Sequence, residues 1–166
     1  MRGKRIRRAT VAEGQESVWD YPRPPAVEAV GDRVRIEFGG RTIVDTVDAL
    51  RVLETSHPPV YYVPGEQVEA TVHLADGTSM CEFKGIARYL TIVSNQRIAV
   101  RGAWTYPEPW PGYEALAGYV AVYPSKMDRC EVAGETVQAQ DGDFYGGWIT
   151  SKVVGPFKGG PGTWGW

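Results

Sequence analysis

The chain has 166 residues and a net charge of −2, and it contains 20 glycines and 12 prolines. A chain of this length buries roughly two thirds of the surface that its unfolded form exposes, which is enough for one domain with its own core. Its longest apolar run, at 116–123, is far shorter than the about 20 residues of a membrane-spanning helix, and no apolar segment follows the basic N-terminus. We therefore expect neither a membrane anchor nor a signal peptide.

The first predicted segment is a basic tail at 1–16. It lacks hydrophobic periodicity and holds five of the 18 basic residues, namely Arg2, Lys4, Arg5, Arg7 and Arg8. Without these five residues the chain has 13 basic and 20 acidic residues, which disfavours nucleic-acid binding because that function needs a basic face. We expect a disordered tail that makes at most weak contacts with polyanions.

A six-residue pattern, W-x-Y-P-x-P, occurs at 19–24 and again at 104–109. The two copies lie 85 residues apart, and at the same offset the alternating run at 34–38 aligns with the run at 119–123. We interpret this as two related half-units. Proline restricts the residue before it to extended backbone, so each Tyr-Pro predicts a non-helical segment held by a buried aromatic ring.

Between the two motifs the pattern is that of short strands. Alternation at 34–38 and a β-prone run at 42–44 flank Gly39-Gly40 and predict a tight hairpin. The segment 45–54 fits a helical face and a strand equally well, whereas prolines bracket a strand at 60–63.

A second hairpin is predicted from alternation at 68–74, a turn at Asp76-Gly77 and a return at 78–84. Further along the chain we expect strands at 87–93, 97–104 and 119–123, and one helical turn at 111–117.

Short strands at regular spacing, with glycine and proline at about one residue in five, predict a mainly β fold. We expect a compact, partly open barrel or a two-sheet fold with two pseudo-repeated halves and little helix. The predicted organisation is a tail at 1–16, a single β domain at 17–154 with half-units at about 17–84 and 85–154, and a Gly/Trp-rich flap at 155–166.

The cysteines and histidines argue against a metal or disulfide framework. Cys81 and Cys130 lie far apart and form no C-x-x-C pair, which favours a reduced, cytoplasmic protein. His57 and His73 have no carboxylate at ligand spacing. We therefore predict no metal and no other cofactor.

The stretch Cys81–Tyr89 reads C-E-F-K-G-I-A-R-Y. It resembles the C-x-[aromatic]-K-G-x-A-x-Y hallmark of the domain of unknown function 427 family, although Glu82 stands where many relatives have proline. Other features of that family occur in its order at 52–54, 60–64, 104–107 and 120–123. The resemblance covers about residues 19–128 and extends in our interpretation to the C-terminal segment. It implies a small, mostly β domain, usually bacterial or fungal, with no established activity.

Some classifications label that family nucleotidyltransferase-like. Polymerase-type nucleotidyltransferases hold their metals with two acidic residues one apart, after Gly-Ser or Gly-Gly. Here Gly39-Gly40 is followed by Asp45 and Asp48, which are too early and three apart.

Lys84 beside Gly85 is the sharpest candidate for chemistry. A lysine held next to glycine and near aromatic residues can bind a phosphate or carboxylate, or act as a nucleophilic amine. The alternative is a structural salt bridge to Glu54 across a sheet, with Gly85 at a bulge. Cys81 is a further candidate nucleophile if Lys84 or His57 activates it, and otherwise a small core residue.

Aromatic residues form the remaining candidate site. Trp19, Tyr21, Tyr61, Tyr62, Trp104 and Tyr106 either wall a pocket for a planar ligand or form the core of a small β domain. The glycine-rich C-terminal stretch either cradles a phosphate with Lys158 or packs Trp148, Trp164 and Trp166 as a flap over the barrel mouth or onto a second subunit.

Three functions are open from the sequence. The first is small-molecule binding in a cleft between the half-units. The second is an enzyme at the same cleft that uses Lys84 or Cys81 covalently, or Glu54 and Lys84 as an acid–base pair. The third is an oligomerisation module such as a homodimer. The candidate catalytic residues are Lys84, Glu54 and Cys81, and the candidate ligand-binding residues are Lys84, Tyr62, Trp104, Tyr106, Arg88 and Lys158.

Overall fold

The structure is a computed structural model that describes residues 5–142 and 144–166. The strands are β1 (Glu16–Ser17), β2 (Ala26–Ala29), β3 (Val34–Phe38), β4 (Arg41–Thr46), β5 (Leu50–Leu53), β6 (Val60–Pro64), β7 (Thr71–Cys81), β8 (Gly85–Ser94), β9 (Arg97–Thr105), β10 (Tyr119–Val122), β11 (Arg129–Val132), β12 (Glu135–Thr136), β13 (Gln138–Ala139), β14 (Trp148–Ile149) and β15 (Val153–Val154). Short 3-10 helices lie at Val18–Asp20, Gly65–Gln67, Glu114–Leu116 and Pro124–Lys126. None of the described helices is long and apolar enough to cross a membrane.

Two antiparallel sheets make up most of the fold. The larger has the strand order β2-β5-β6-β10-β9-β8-β7, and the smaller has the order β12-β11-β3-β4. Two further pairs complete the topology: β1 runs parallel to β15, and β13 pairs with β14. The prediction of a compact, mainly β fold with little helix is confirmed, and over the described residues its several sheets do not close into a barrel.

The main core lies between the two sheets. Val34, Ile36 and Phe38 alternate along β3 and face the larger sheet, while Tyr61 and Val63 of β6 face back toward them. All five side chains are buried. The period of two along a strand explains the arrangement, because every second side chain points to the same face.

The outer face of the seven-stranded sheet carries a second apolar cluster. Tyr62 of β6, Tyr89 of β8, Trp104 of β9 and Ala121 of β10 point to this side. The inner neighbours of these residues in sequence, such as Tyr61, belong to the main core. Strand alternation therefore sends one set of rings into the core and another set to a face that the smaller sheet does not cover.

The first predicted hairpin is confirmed and the second is wrong. β3 and β4 pair through Gly39 and Gly40, whose φ angles of +68° and +75° suit a tight turn. At the second site, however, Thr71–Cys81 is one strand paired with β8 on both sides of an irregularity between Leu74 and Thr78. Gly77, with φ +94°, bends this strand instead of reversing it, and the chain turns at 82–84.

The two W-x-Y-P-x-P copies adopt different structures. Trp19 lies in a 3-10 helix, whereas Trp104 lies in β9. The strands at the matching offset also differ in place, since β3 belongs to the smaller sheet and β10 to the larger. Proline fixes only the local backbone, and strand pairing with different neighbours places the two copies differently.

Part of the predicted tail at 1–16 packs against the domain. Ala9 N donates to Gly155 O at 3.0 Å, and Arg8 forms an ion pair with Asp20 at 2.9 Å. β1 then pairs with β15, so this segment packs along the C-terminal one. The basic residues at 2 and 4 lie outside the described residues.

Candidate functional site

A cavity of about 280 Å³ opens on the outer face of the seven-stranded sheet. Its floor is the aromatic cluster of β6, β8 and β9, its rim includes the turn at 81–84, and a further wall comes from 144–145 and 158. Residues on both sides of the predicted 84/85 half-unit boundary therefore line it. The lining residues are Val52, Glu54, His57, Pro58, Val60, Tyr62, Ser79, Met80, Cys81, Glu82, Phe83, Lys84, Tyr89, Trp104, Tyr106, Tyr123, Phe144, Tyr145 and Lys158.

The structure brings most of the sequence-predicted site residues together at this cavity. Those that line it are Lys84, Glu54, Cys81, Tyr62, Trp104, Tyr106 and Lys158.

Arg88 is the exception among the predicted ligand-binding residues. It lies on β8 next to Tyr89, so its side chain leaves the sheet on the opposite face, where it is exposed. Arg88 therefore does not contribute to the cavity.

The aromatic floor is a packed and hydrogen-bonded layer. Trp104 Nε1 donates to the Tyr62 hydroxyl at 3.3 Å, and the Trp104 and Tyr123 rings lie 4.6 Å apart. Burial raises the pKa of Tyr62, Tyr106 and Tyr123, so their hydroxyls stay protonated at neutral pH. Tyr106 is 6% exposed, and its hydroxyl has no hydrogen-bond partner within the described chain.

The turn at 81–84 places the side chain of Lys84 beside the thiol of Cys81. Cys81 pairs with Gly85 at the start of the β7–β8 hairpin, and Gly85 has a φ of +117° that favours glycine. The reversal places Lys84 Nζ 3.1 Å and the Lys84 main-chain N 3.5 Å from Cys81 Sγ, with both groups donating to the sulfur. Lys84 Nζ also lies 5.8 Å from the centre of the Tyr106 ring.

The salt bridge considered between Lys84 and Glu54 does not form. Glu54 instead pairs with Arg23 at 3.2 Å and approaches His57 Nε2 at 3.6 Å. Arg23 reaches this position because its segment runs beside 55, where Thr55 Oγ1 donates to Tyr21 O at 2.5 Å.

His57 is a neutral imidazole at the edge of the cavity. Burial, followed by the positive charges of Lys158, Arg23 and Lys84, lowers its pKa to about 4. Glu54 favours the protonated form, but Arg23 already neutralises that carboxylate, so desolvation prevails. The ring makes an edge contact with Tyr145 at 4.8 Å between centroids.

Lys158 is the second ammonium group at the cavity. Its main-chain N donates to Ser56 O at 2.9 Å, and its carbonyl accepts from Gln140 Nε2 at 2.6 Å. Its Nζ donates to the main-chain oxygen of Trp166 at 3.1 Å and lies 5.4 Å from the centre of the Tyr145 ring. Main-chain hydrogen bonds therefore fix the backbone of this lysine beside the cavity.

The three C-terminal tryptophans do not act together as the predicted flap. Trp148 is buried in the main core at 1% exposure, and its ring lies 4.9 Å from that of Tyr61. Trp164 is 89% exposed, and Trp166 contacts Trp19 at 5.4 Å between ring centroids. Of the segment 155–166, only Lys158 lines the cavity.

Comparison with known protein families places this chain. A family model described as "Domain of unknown function (DUF427)" matches residues 26–133. The chain belongs to the DUF427 family. This confirms the resemblance seen at Cys81–Tyr89, while a search of curated proteins finds no match. The matched range of this DUF427 protein contains the aromatic floor and the 81–84 turn but not Phe144, Tyr145 or Lys158.

The nucleotidyltransferase-like label sometimes attached to DUF427 requires carboxylates free to hold metal ions. Asp45 is engaged by Arg33 through two hydrogen bonds of 2.6 and 2.8 Å, and Asp48 accepts from Gln67. Within 5–142 and 144–166, no three His, Cys, Asp or Glu residues are grouped so that they could hold a metal. These side chains therefore do not fit a metal-dependent nucleotidyl transfer site.

Several cavity residues were missed by the sequence reasoning. Tyr89 lies two residues after Ala87, and Tyr123 lies two residues after Ala121. A spacing of two within a strand indicates a shared face, and all four residues belong to the same outer cluster as the predicted rings. Phe144 and Tyr145 reach the cavity through the path of an irregular segment, and no periodic pattern predicts that path.

Gly146 makes the close approach of this segment possible. Its φ is +70°, and a Cβ there would lie 2.6 Å from the Trp104 ring and 3.1 Å from that of Tyr123. We expect Gly146→Ala to lower the free energy of unfolding by about 2–4 kcal/mol, because overpacking adds to the backbone strain. Gly118→Ala is the matched control, since Gly118 has φ +78° with nothing within 4 Å. Urea denaturation of both variants measures the difference, and equal losses would contradict the close contact.

Proposed function

We propose that the protein binds a small anionic ligand with a planar apolar body in this cavity. The observation that carries the proposal is the approach of two ammonium groups, Lys84 and Lys158, to one aromatic-floored cavity. Within the described residues, neither ammonium forms an ion pair with an acidic side chain. Ligand sites are commonly apolar hollows with a few convergent polar groups, and lysine is a common partner of phosphate and carboxylate.

The two lysines determine the net charge of the cavity. Arg23 neutralises Glu54, and His57 is uncharged at neutral pH. Glu82 lies on the exposed rim. The Tyr106 hydroxyl, which has no hydrogen-bond partner in the described part of the chain, adds a neutral donor, and this also favours an oxyanion over a cation.

The volume of the cavity limits the ligand. Ligand pockets commonly measure about 300–1,000 Å³, so a cavity of about 280 Å³ stands at the small end of the range. A benzoate-sized acid or a single nucleobase fits this space, whereas a dinucleotide does not. Planar rings stack on the Trp104 and Tyr106 side of the cavity, and the acid group meets the lysines.

A panel of aromatic carboxylates and mononucleotides tests this proposal. A ligand present at about 100 times its dissociation constant stabilises the fold by about 2.7 kcal/mol, which raises the melting temperature of a domain of this size by about 5–10 °C. We expect such a shift for wild type and its loss in Lys84→Met and Lys158→Met.

Lys126→Met is the matched control for this panel. Lys126 Nζ lies 5.4 Å from the centre of a tyrosine ring, that of Tyr123, but Lys126 does not line the cavity. Its replacement removes the same charge and keeps the site intact. A flat panel for wild type, or equal losses in all three variants, would overturn the proposal.

The same cavity also favours one form of the enzyme alternative. The predicted Lys84/Glu54 acid–base pair is not formed, whereas the Lys84/Cys81 pair is. Cys81 and Cys130 are free thiols, which suits the reducing cytoplasm that we propose as its compartment. The homodimer remains a prediction that the molecular mass in solution will test.

A further inference from the structure

We infer that Cys81 is the nucleophile of a thiol-dependent acyl-transfer reaction in this cavity, with Lys84 as its proton carrier. The inference rests on the proposed function, because the carboxylic derivative that reacts would be the small ligand bound there. It goes further by assigning a reaction class and the atoms that carry it.

The first observation is the polar environment of the sulfur. Lys84 donates to Cys81 Sγ twice, from Nζ at 3.1 Å and from the main-chain N at 3.5 Å. Two N–H donors directed at one sulfur are suited to hold the negative charge that the sulfur carries as a nucleophile and as a leaving group. A nucleophile and a proton-transfer group within hydrogen-bond reach of each other form the minimal unit of covalent catalysis.

The second observation is an unused donor on the same cavity. Tyr106 is 6% exposed and lines the cavity, and its hydroxyl has no hydrogen-bond partner among the described residues. The centre of the Tyr106 ring lies 5.8 Å from Lys84 Nζ, and Tyr106 lines the same cavity as Cys81. A buried O–H beside a nucleophile is suited to an oxyanion that forms during attack.

The other cysteine cannot perform this chemistry. Cys130 is 2% exposed between the two sheets, and burial raises the pKa of its thiol. A buried cysteine without a charged neighbour behaves as an inert core residue.

The reaction balances with groups present at the site and water. The Cys81 thiolate attacks the carbonyl carbon of a thioester or activated ester, an S–C bond forms, and the carbonyl electron pair moves to the oxygen, which accepts a hydrogen bond from Tyr106. The C–X bond then breaks, and the leaving group takes a proton from the Lys84 ammonium. Water attacks the resulting acyl-cysteine, neutral Lys84 takes a proton from that water, and the acid and the Cys81 thiolate are released.

The test uses p-nitrophenyl acetate with the full chain carrying Cys130→Ala, which leaves Cys81 as the single thiol. We expect p-nitrophenolate release and a peptide containing Cys81 that gains one acetyl group. Cys81→Ser should abolish both, and Lys84→Met should slow acylation by about 100-fold. We expect Tyr106→Phe to slow it by about 100-fold as well, since one oxyanion donor is lost.

The Lys84→Arg variant distinguishes a role of Lys84 in proton transfer from a role of its charge in structure. Arginine keeps the positive charge but stays protonated, so alkylation of Cys81 by iodoacetamide should persist while turnover of the acetyl-protein stops. Cys81→Ser should lose acylation and yet keep the ligand-induced rise in melting temperature, and this combination distinguishes the inference from the proposed function. Lys126→Met, whose lysine does not line the cavity, should acylate at the wild-type rate. Acetylation of Cys81 no faster than that of free cysteine, or an equal rate in Lys84→Met, would overturn the inference even if the ligand panel succeeds.

Discussion

The Trp148→Ala variant is expected to lose about 3–5 kcal/mol of unfolding free energy, the largest stability effect of any substitution considered. Trp148 is 1% exposed in the main core, where its ring lies against Tyr61. Its main-chain N donates to Pro59 O at 2.8 Å, so this short strand is fixed to the chain just before β6. Removing the indole leaves a large cavity that the two sheets cannot close.

Denaturation in urea measures this loss, and two variants provide controls. Trp148→Phe keeps most of the apolar area and removes a buried Nε1 that has no hydrogen-bond partner among the described residues, so it should cost much less. Trp164→Ala, at an 89% exposed position, should leave stability unchanged within about 0.5 kcal/mol. A Trp148→Ala protein as stable as wild type would show that the segment after the matched DUF427 range is not part of the core.

The second large effect is a loss of stability in acid that depends on His57. Its pKa falls from 6.5 to about 4 on folding, so between these pH values the unfolded state binds more protons than the folded state. The contribution of His57 to the free energy of unfolding is fully present above about pH 6.5 and is lost progressively as the pH falls toward 4. The full contribution is about 3 kcal/mol, because each unit of pKa difference corresponds to about 1.4 kcal/mol.

The measurement is the free energy of unfolding at several pH values from 7 to 4, for wild type and His57→Gln. The difference between the two curves isolates His57 from the carboxylates, which also titrate in acid. We expect the wild-type curve to fall more steeply by about 3 kcal/mol over this window. His73→Gln, at an exposed position, controls for the loss of a histidine as such. Parallel curves for wild type and His57→Gln would contradict a buried neutral imidazole.

Much of the fold follows from local pattern. The β3–β4 hairpin is predictable because alternation and two adjacent glycines agree, and both glycines adopt positive φ. The β7 error shows where local pattern fails, since Asp76-Gly77 also suits a turn. Pairing of both halves of β7 with β8 keeps the strand continuous, and this long-range term cannot be obtained from a few residues.

The sequence predicts which residues belong to the candidate site but not which contacts they make. The hallmark stretch identifies Lys84 and Cys81 as candidates, and a spacing of three in a tight turn brings their side chains together. The partner of Glu54 depends on Arg23, which lies 31 residues away and reaches it through the packing of the N-terminal motif. Sequence spacing carries no information about that contact, so it could not decide against the alternative of a salt bridge between Glu54 and Lys84.

The far wall of the cavity shows a further limit. Tyr145 and Lys158 approach it from segments without regular alternation, and Gln140 holds them by accepting from Gly147 N and donating to Lys158 O. Such side-chain-to-backbone bonds depend on a fold that is already formed. Composition alone therefore indicates the aromatic and basic character of this segment but not its place.

The most direct test of the ligand site is an NMR titration of ¹⁵N-labelled protein with benzoate and with adenosine 5′-monophosphate. We predict that at least one of them shifts the amide signals of Lys84, Tyr106 and Lys158 in a saturable manner, and that amide signals of the smaller sheet, such as that of Thr42 in β4, move far less. Saturable shifts located elsewhere, or no shifts with either compound, would contradict it.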